Sequence, residues 1–224
     1  MVNKKMYAML LTELLGTALL TLVFLSVKSS AIGIGYFIAL GIGLAYAGLI
    51  LFANFEEKEA GTKWIPQFNP ALSVALWTVK KIKTVELLLN VVMQFVGAYA
   101  SYALSSYLIN NKIPNSAAHY STRAFVAEAV GTFIFVLIVS ASAYKKFSAP
   151  VAATVGGAAY AIGIVVASSA SNALINPAVA LGVNSFSWVV YTLAPVVGGV
   201  IAINLYSLLY VDKISSSKKT KSKK

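Results

Sequence analysis

Asn-Pro-Ala occurs twice in this sequence, at Asn69-Pro70-Ala71 and Asn176-Pro177-Ala178. Asn caps helix N-termini well and Pro fits the first helical turn, so each tripeptide reads as a helix start. Both copies lie within apolar stretches, where lipid cannot satisfy the free N–H groups of such a start. A helix that begins there must face a protein-enclosed, water-accessible cavity, and two of them suggest a pore. The other chemically notable residues are two glutamates set in apolar runs, Glu13 and Glu128. An ionisable side chain within a membrane is a functional candidate by default. The sequence holds no cysteine and one histidine, His119, and the one run of carboxylates, at Glu56, Glu57 and Glu59, lies in a charged stretch with no histidine or cysteine beside it. No catalytic nucleophile or metal site can be assembled from them, so neither an enzyme nor a cofactor is expected.

The elements that carry these residues are long and apolar. Of 224 residues, 58% are hydrophobic and 11% charged, about half the charge of a soluble domain. Met6–Val27, Ile32–Ala53, Leu87–Ile109 and Arg123–Ala143 can each supply the roughly 20 residues of a bilayer crossing. Ala149–Leu181 is interrupted by Ser and Asn and is long enough for one crossing plus a short re-entrant helix. Trp188–Val211 gives a last crossing, and Ile65–Thr78 is apolar but fits only a half-crossing. The expected fold is an all-α membrane protein with six transmembrane helices and two re-entrant half-helices. The N-terminal apolar run is too long for a signal peptide and lacks a small-residue cleavage site, so it reads as the first crossing.

The net charge of +11 follows the membrane rather than a nucleic acid. With both termini cytoplasmic and crossings alternating, fifteen of the 18 Lys and Arg residues fall inside and only Lys28, Lys112 and Arg123 outside. That bias orients the chain in the cell membrane. Arg123 reads as a headgroup anchor, His119 as a loop residue, and the Lys/Ser tail as a soluble end with weak attraction to anionic lipid.

The chain also repeats itself. Glu13-Leu-Leu-Gly16-Thr17 in the first crossing matches Glu128-Ala-Val-Gly131-Thr132 in the fourth. Each is followed by a crossing, an Asn-Pro-Ala half-helix and another crossing. Three crossings per half is an odd number, so the second half enters from the opposite face and the half-helices can meet near the midplane. The organisation is a first repeat at 1–109 with a charged insertion at 56–63, an outer connecting loop at 110–122, a second repeat at 123–211, and a basic tail at 212–224.

With these motifs in place, the sequence resembles the aquaporin, or major intrinsic protein, family over nearly its whole length. Gln94-Phe-Val-Gly97-Ala98 and Tyr191-Thr-Leu-Ala-Pro195-Val-Val-Gly198 extend the match. The resemblance implies a narrow pore for water and small neutral solutes, one per subunit of a homotetramer in the lipid bilayer. The helix dipoles would oppose cations at the midplane. Asn69 and Asn176 would each cap with the side-chain oxygen and leave an amide NH₂ facing the pore. Pro70 and Pro177 would preset the first turns, and Ala71 and Ala178 are small enough for the two ends to abut. By the same resemblance, Glu13 and Glu128 accept hydrogen bonds from the re-entrant loops and brace the half-helices. Gln94 links helices, and the glycines allow close helix approach.

The sequence departs from the family pattern at the outer filter. The Arg expected after the second motif is Val179, and the position that carries His in water-selective members falls on Ile164, or on Gly163 with a one-residue shift. The aromatic expected from the second crossing is replaced near Leu40–Gly43, and Gln67 stands where His is common before the first motif. The Asp that marks glycerol channels is absent after the second motif. The outer filter is therefore expected to be apolar and uncharged: either a wider passage for uncharged solutes or a slow, partly dewetted one. The alternatives are a gated or non-conducting membrane protein that keeps the fold, and a coupled transporter, which the scarcity of membrane acids disfavours.

Overall fold

A computed structural model of the chain describes residues 4–29, 35–53, 65–116, 120–145 and 147–211. The insertion at 56–63, His119 and the basic tail lie outside these. The described residues form helices and no strand: α1 (Lys4–Ser29), α2 (Gly35–Phe52), α3 (Pro70–Thr78), α4 (Thr84–Leu108), α5 (Thr122–Tyr144), α6 (Ala149–Ala167), α7 (Pro177–Gly182) and α8 (Ala194–Tyr206). π-helical turns at Val189–Leu193 and Ser207–Val211 extend α8 in both directions. Pro195 is the reason at the first of these. It lacks an N–H for the carbonyl one turn back, and a wider turn accommodates its ring.

Five of these helices are long and apolar enough to cross a membrane, and Tyr36–Phe52 is a shorter apolar helix. With the shorter α2 as the sixth crossing, α3 and α7 are the half-helices. Ile65–Asn69 is not part of α3 but a non-helical lead into it. Large apolar side chains are exposed along the helices, such as Leu11, Leu15 and Leu19 on α1 and Leu88 and Val92 on α4. The interior instead holds Glu13, Gln67, Asn69, Ser73, Gln94, Glu128 and Asn176, all fully buried. A soluble protein sorts its residues the other way.

Helix pairing follows a two-fold pattern. α1 packs on α4 as α5 packs on α8, α3 lies on α8 as α7 lies on α4, and α2 crosses α6 at the centre. Small residues set these crossings. A methyl group on Gly43 would come within 2.8 Å of the Gly157 carbonyl, and one on Gly157 within 2.5 Å of the Gly43 carbonyl. A methyl group on Gly97 would run into the Leu14 carbonyl, and one on Gly198 into the Ala129 carbonyl. Gly97 and Gly198 thus occupy equivalent places in the two halves.

Candidate functional site: two half-helix ends

Each half-helix begins as its motif dictates. Asn69 is extended, and its Oδ1 accepts the Ala71 N–H at 2.9 Å. Asn176 Oδ1 accepts the N–H groups of Ala178 at 3.0 Å and Val179 at 3.3 Å. Pro70 and Pro177 take the first helical position, where no intrahelical donor is needed. Ala71 and Ala178 are fully buried.

Behind each turn sits a carboxylate. Glu13 Oε1 accepts the Gln67 N–H at 2.8 Å, and its Oε2 accepts the Phe68 N–H and the Gln94 amide, both at 2.7 Å. Glu128 Oε1 accepts the Leu174 N–H at 3.0 Å and the Ser171 hydroxyl at 2.7 Å, while its Oε2 accepts the Ile175 N–H at 2.6 Å. These donors are the backbone groups that a re-entrant chain leaves exposed. The two halves differ in the helper, Gln94 from α4 in one and Ser171 from the segment between α6 and α7 in the other.

In the first half the support extends further. Ser73 donates to Gln67 Oε1 at 2.7 Å, Asn90 donates to the same oxygen at 3.0 Å, and Gln94 donates to Ser73 at 3.0 Å. Gln67, standing where the resemblance places a His, therefore turns into this buried network.

The bracing imposes backbone conformations that side chains rarely adopt. Phe68 has φ 54° and Ile175 φ 39°. For a β-branched residue such as Ile175 this is a real outlier. The payoff is directional: each turned carbonyl meets the opposite half. Asn69 Nδ2 donates to the Ile175 carbonyl at 2.9 Å, and Asn176 Nδ2 donates to the Phe68 carbonyl at 2.8 Å.

The sequence reading left the amide NH₂ groups facing a pore; here they are engaged by protein. The second amide hydrogen of Asn176 goes to the Tyr160 hydroxyl at 2.9 Å. Tyr160 stacks on Phe135 with centroids 4.4 Å apart, and Tyr46 meets it edge-on at 5.1 Å. Tyr46 also meets Phe68 and Phe135 edge-on, at 5.9 and 5.6 Å. Sequence reasoning missed this cluster, although one signal was available. Tyr160 precedes Ile164 by one helical turn and so shares its face of α6.

The residues assigned to an outer filter are apolar and close-packed. Val179 and Ile164 are each 2% exposed and belong to one buried apolar cluster. Gly163 turns towards α5 instead, where a methyl group would lie 2.7 Å from the Gly131 carbonyl. Arg123 is exposed at the start of α5.

The geometry defines a class: a helical membrane protein built from inverted repeats, with two half-helices meeting end to end in its interior. Residues 2–206 match the family model "Major intrinsic protein", and the chain belongs to that family. It is 29% identical to the probable aquaporin AqpM of Archaeoglobus fulgidus, over 80% of this chain and 81% of that one. It is 28% identical to the glycerol uptake facilitator protein-like 6 of Lactiplantibacillus plantarum, covering 86% and 93%. Aquaporin Z of Photorhabdus laumondii is 24% identical, covering 91% and 98%. Among solved structures, the aquaglyceroporin from Plasmodium falciparum matches in fold with a TM-score of 0.71, at 23% identity over 93% of this chain and 98% of that one.

Proposed function

We propose that this chain is a passive membrane channel for water and small uncharged solutes, conducting past the paired half-helix ends. The observation that carries this reading is the reciprocal seating of Asn69 and Asn176. Two helix N-termini converge there from opposite halves, and such a junction disfavours cations. Relatives named as aquaporins and as a glycerol uptake facilitator support the solute class. Val179 and Ile164 form the outer filter in this reading. Without a guanidinium there, the filter selects by size and wetting rather than by charge. The channel sits in the cell membrane as a homotetramer with both termini cytoplasmic, its repeats spanning 1–109 and 123–211.

Stopped-flow light scattering on proteoliposomes tests the reading. Water, glycerol and urea gradients are compared with empty vesicles, and the expected result is water flux above the lipid background with measurable solute entry. Folded protein with no flux would sink the conducting reading and leave a gated or structural role. The aromatic rings packed against the asparagines favour a gate.

A further inference from the structure

We infer that Tyr160 is the central closure of this channel and the residue that sets its permeation rate and size limit; this rests on the channel reading above. A passing solute needs the amide hydrogens that the half-helix caps can offer. The Tyr160 hydroxyl takes one from Asn176 at 2.9 Å, so it occupies the place of a hydrogen-bonding solute. Its ring fills the space beside the junction, stacked on Phe135 and met edge-on by Tyr46. Tyr46, Phe68, Phe135 and Tyr160 are all at most 1% exposed.

A second observation places this closure on a path that solvent can reach. A cavity of about 40 Å³ is lined by Tyr46, Ile65, Pro66, Ser142, Phe147 and Gly156, among others. That volume holds about three waters. Two of its lining residues, Tyr46 and Ser142, carry buried hydroxyls with no hydrogen-bond partner among the described residues, and groups of this kind are satisfied by water. The cavity reaches Tyr46, whose ring meets that of Tyr160 edge-on at 5.1 Å. The obstruction is therefore a pair of tyrosines at the end of a polar-tipped vestibule. It differs from the outer filter in chemistry: a rotating side chain can move aside and return to the same hydrogen bond. Opening requires Tyr160 to release Asn176, and the solute then inherits its donor.

The test compares wild-type protein with Tyr160→Ala in proteoliposomes, using water and glycerol gradients and equal amounts of folded protein. Tyr160→Ala is expected to raise water permeability by roughly tenfold or more, with glycerol entry rising alongside. A purely structural side chain would lower flux when truncated. Tyr160→Cys supplies a second probe, because the chain has no other cysteine. A small methanethiosulfonate reagent should cut the flux of this variant and leave wild type unchanged. If wild type conducts and neither variant differs from it, Tyr160 is not the closure, while the channel reading stands. If folded wild-type protein and both variants all match empty vesicles, the channel reading itself falls and the closure with it.

Discussion

Asn69 and Asn176 hold each other's turns. The Asn69 amide donates to the carbonyl of Ile175, the residue before Asn176, and the Asn176 amide donates to the carbonyl of Phe68, the residue before Asn69. Each asparagine therefore works twice, capping its own helix with oxygen and tying down the opposite one with nitrogen. An aspartate could still cap but could not donate. Its carboxylate would face a carbonyl oxygen instead.

Asn176→Asp accordingly should lose the bond to the Phe68 carbonyl, while the Tyr160 hydroxyl can turn and donate to the new carboxylate. A stability cost of about 1–3 kcal/mol is expected for the acceptor left unpaired, read as a lower thermal midpoint in detergent. The midplane carboxylate should also admit cations, measured as ion leak with a voltage-sensitive dye in vesicles. A variant as stable and as electrically tight as wild type would show that this amide is not at the junction of the path.

Glu13→Gln and Glu128→Gln probe the braces. Each carboxylate accepts two backbone N–H groups and one side-chain donor. A glutamine keeps one acceptor oxygen and turns an NH₂ towards a donor. Leaving a buried N–H unpaired costs about 1–3 kcal/mol, and the positive φ at Phe68 or Ile175 would no longer be held. Both variants should melt earlier, and the exchange of the Phe68 or Ile175 amide should accelerate. Unchanged amide exchange would mean that the turns are fixed by something other than the carboxylates.

The glycines give a matched pair of expectations. Gly97→Ala should force α1 and α4 apart, because its methyl group would meet the Leu14 backbone carbonyl rather than a side chain that can yield. Overpacking of this kind costs about 1–3 kcal/mol. Gly48→Ala on α2 has nothing within 4 Å of the added methyl group, and should be neutral or stabilising by about 0.5–1 kcal/mol. Thermal midpoints of the two variants settle it, and similar values for both would contradict the crossing geometry.

The repeat was legible in the sequence because its signals are local. An Asn-Pro-Ala start, a Glu-x-x-Gly-Thr run and an apolar length can each be read within a few residues. The clasp was not legible, because Asn69 and Ile175 are 106 residues apart and no local preference aims an amide at a distant carbonyl. Tyr160 escaped for a different reason. A tyrosine among Ala, Gly and Ile on an apolar helix reads as packing, and its role depends on which rotamer the opposite half permits. The expectation of amide NH₂ groups facing a pore did not include the protein acceptors they meet here, the Ile175 and Phe68 carbonyls and the Tyr160 hydroxyl. The lead-in at Ile65–Asn69 read as part of an apolar half-crossing because hydropathy cannot tell an irregular lead-in from a helical turn.

Restoring a cation at the outer filter tests whether Val179 matters once the centre is open. Val179 follows the second motif and is 2% exposed among apolar neighbours, so an arginine there must displace packing and reach the path. In wild-type protein, Val179→Arg should change water flux little, because Tyr160 limits it first. In the Tyr160→Ala background the same substitution becomes visible. The guanidinium narrows the passage and offers fixed donors, so glycerol and urea entry should fall by roughly tenfold while water falls much less. Cation leak in that background should fall too, since a fixed positive charge repels cations. Solute and water fluxes measured on the same vesicles give the ratio directly. A ratio unchanged by the arginine would place the outer filter elsewhere than Val179 and Ile164, leaving the central tyrosine as the channel's main selectivity element.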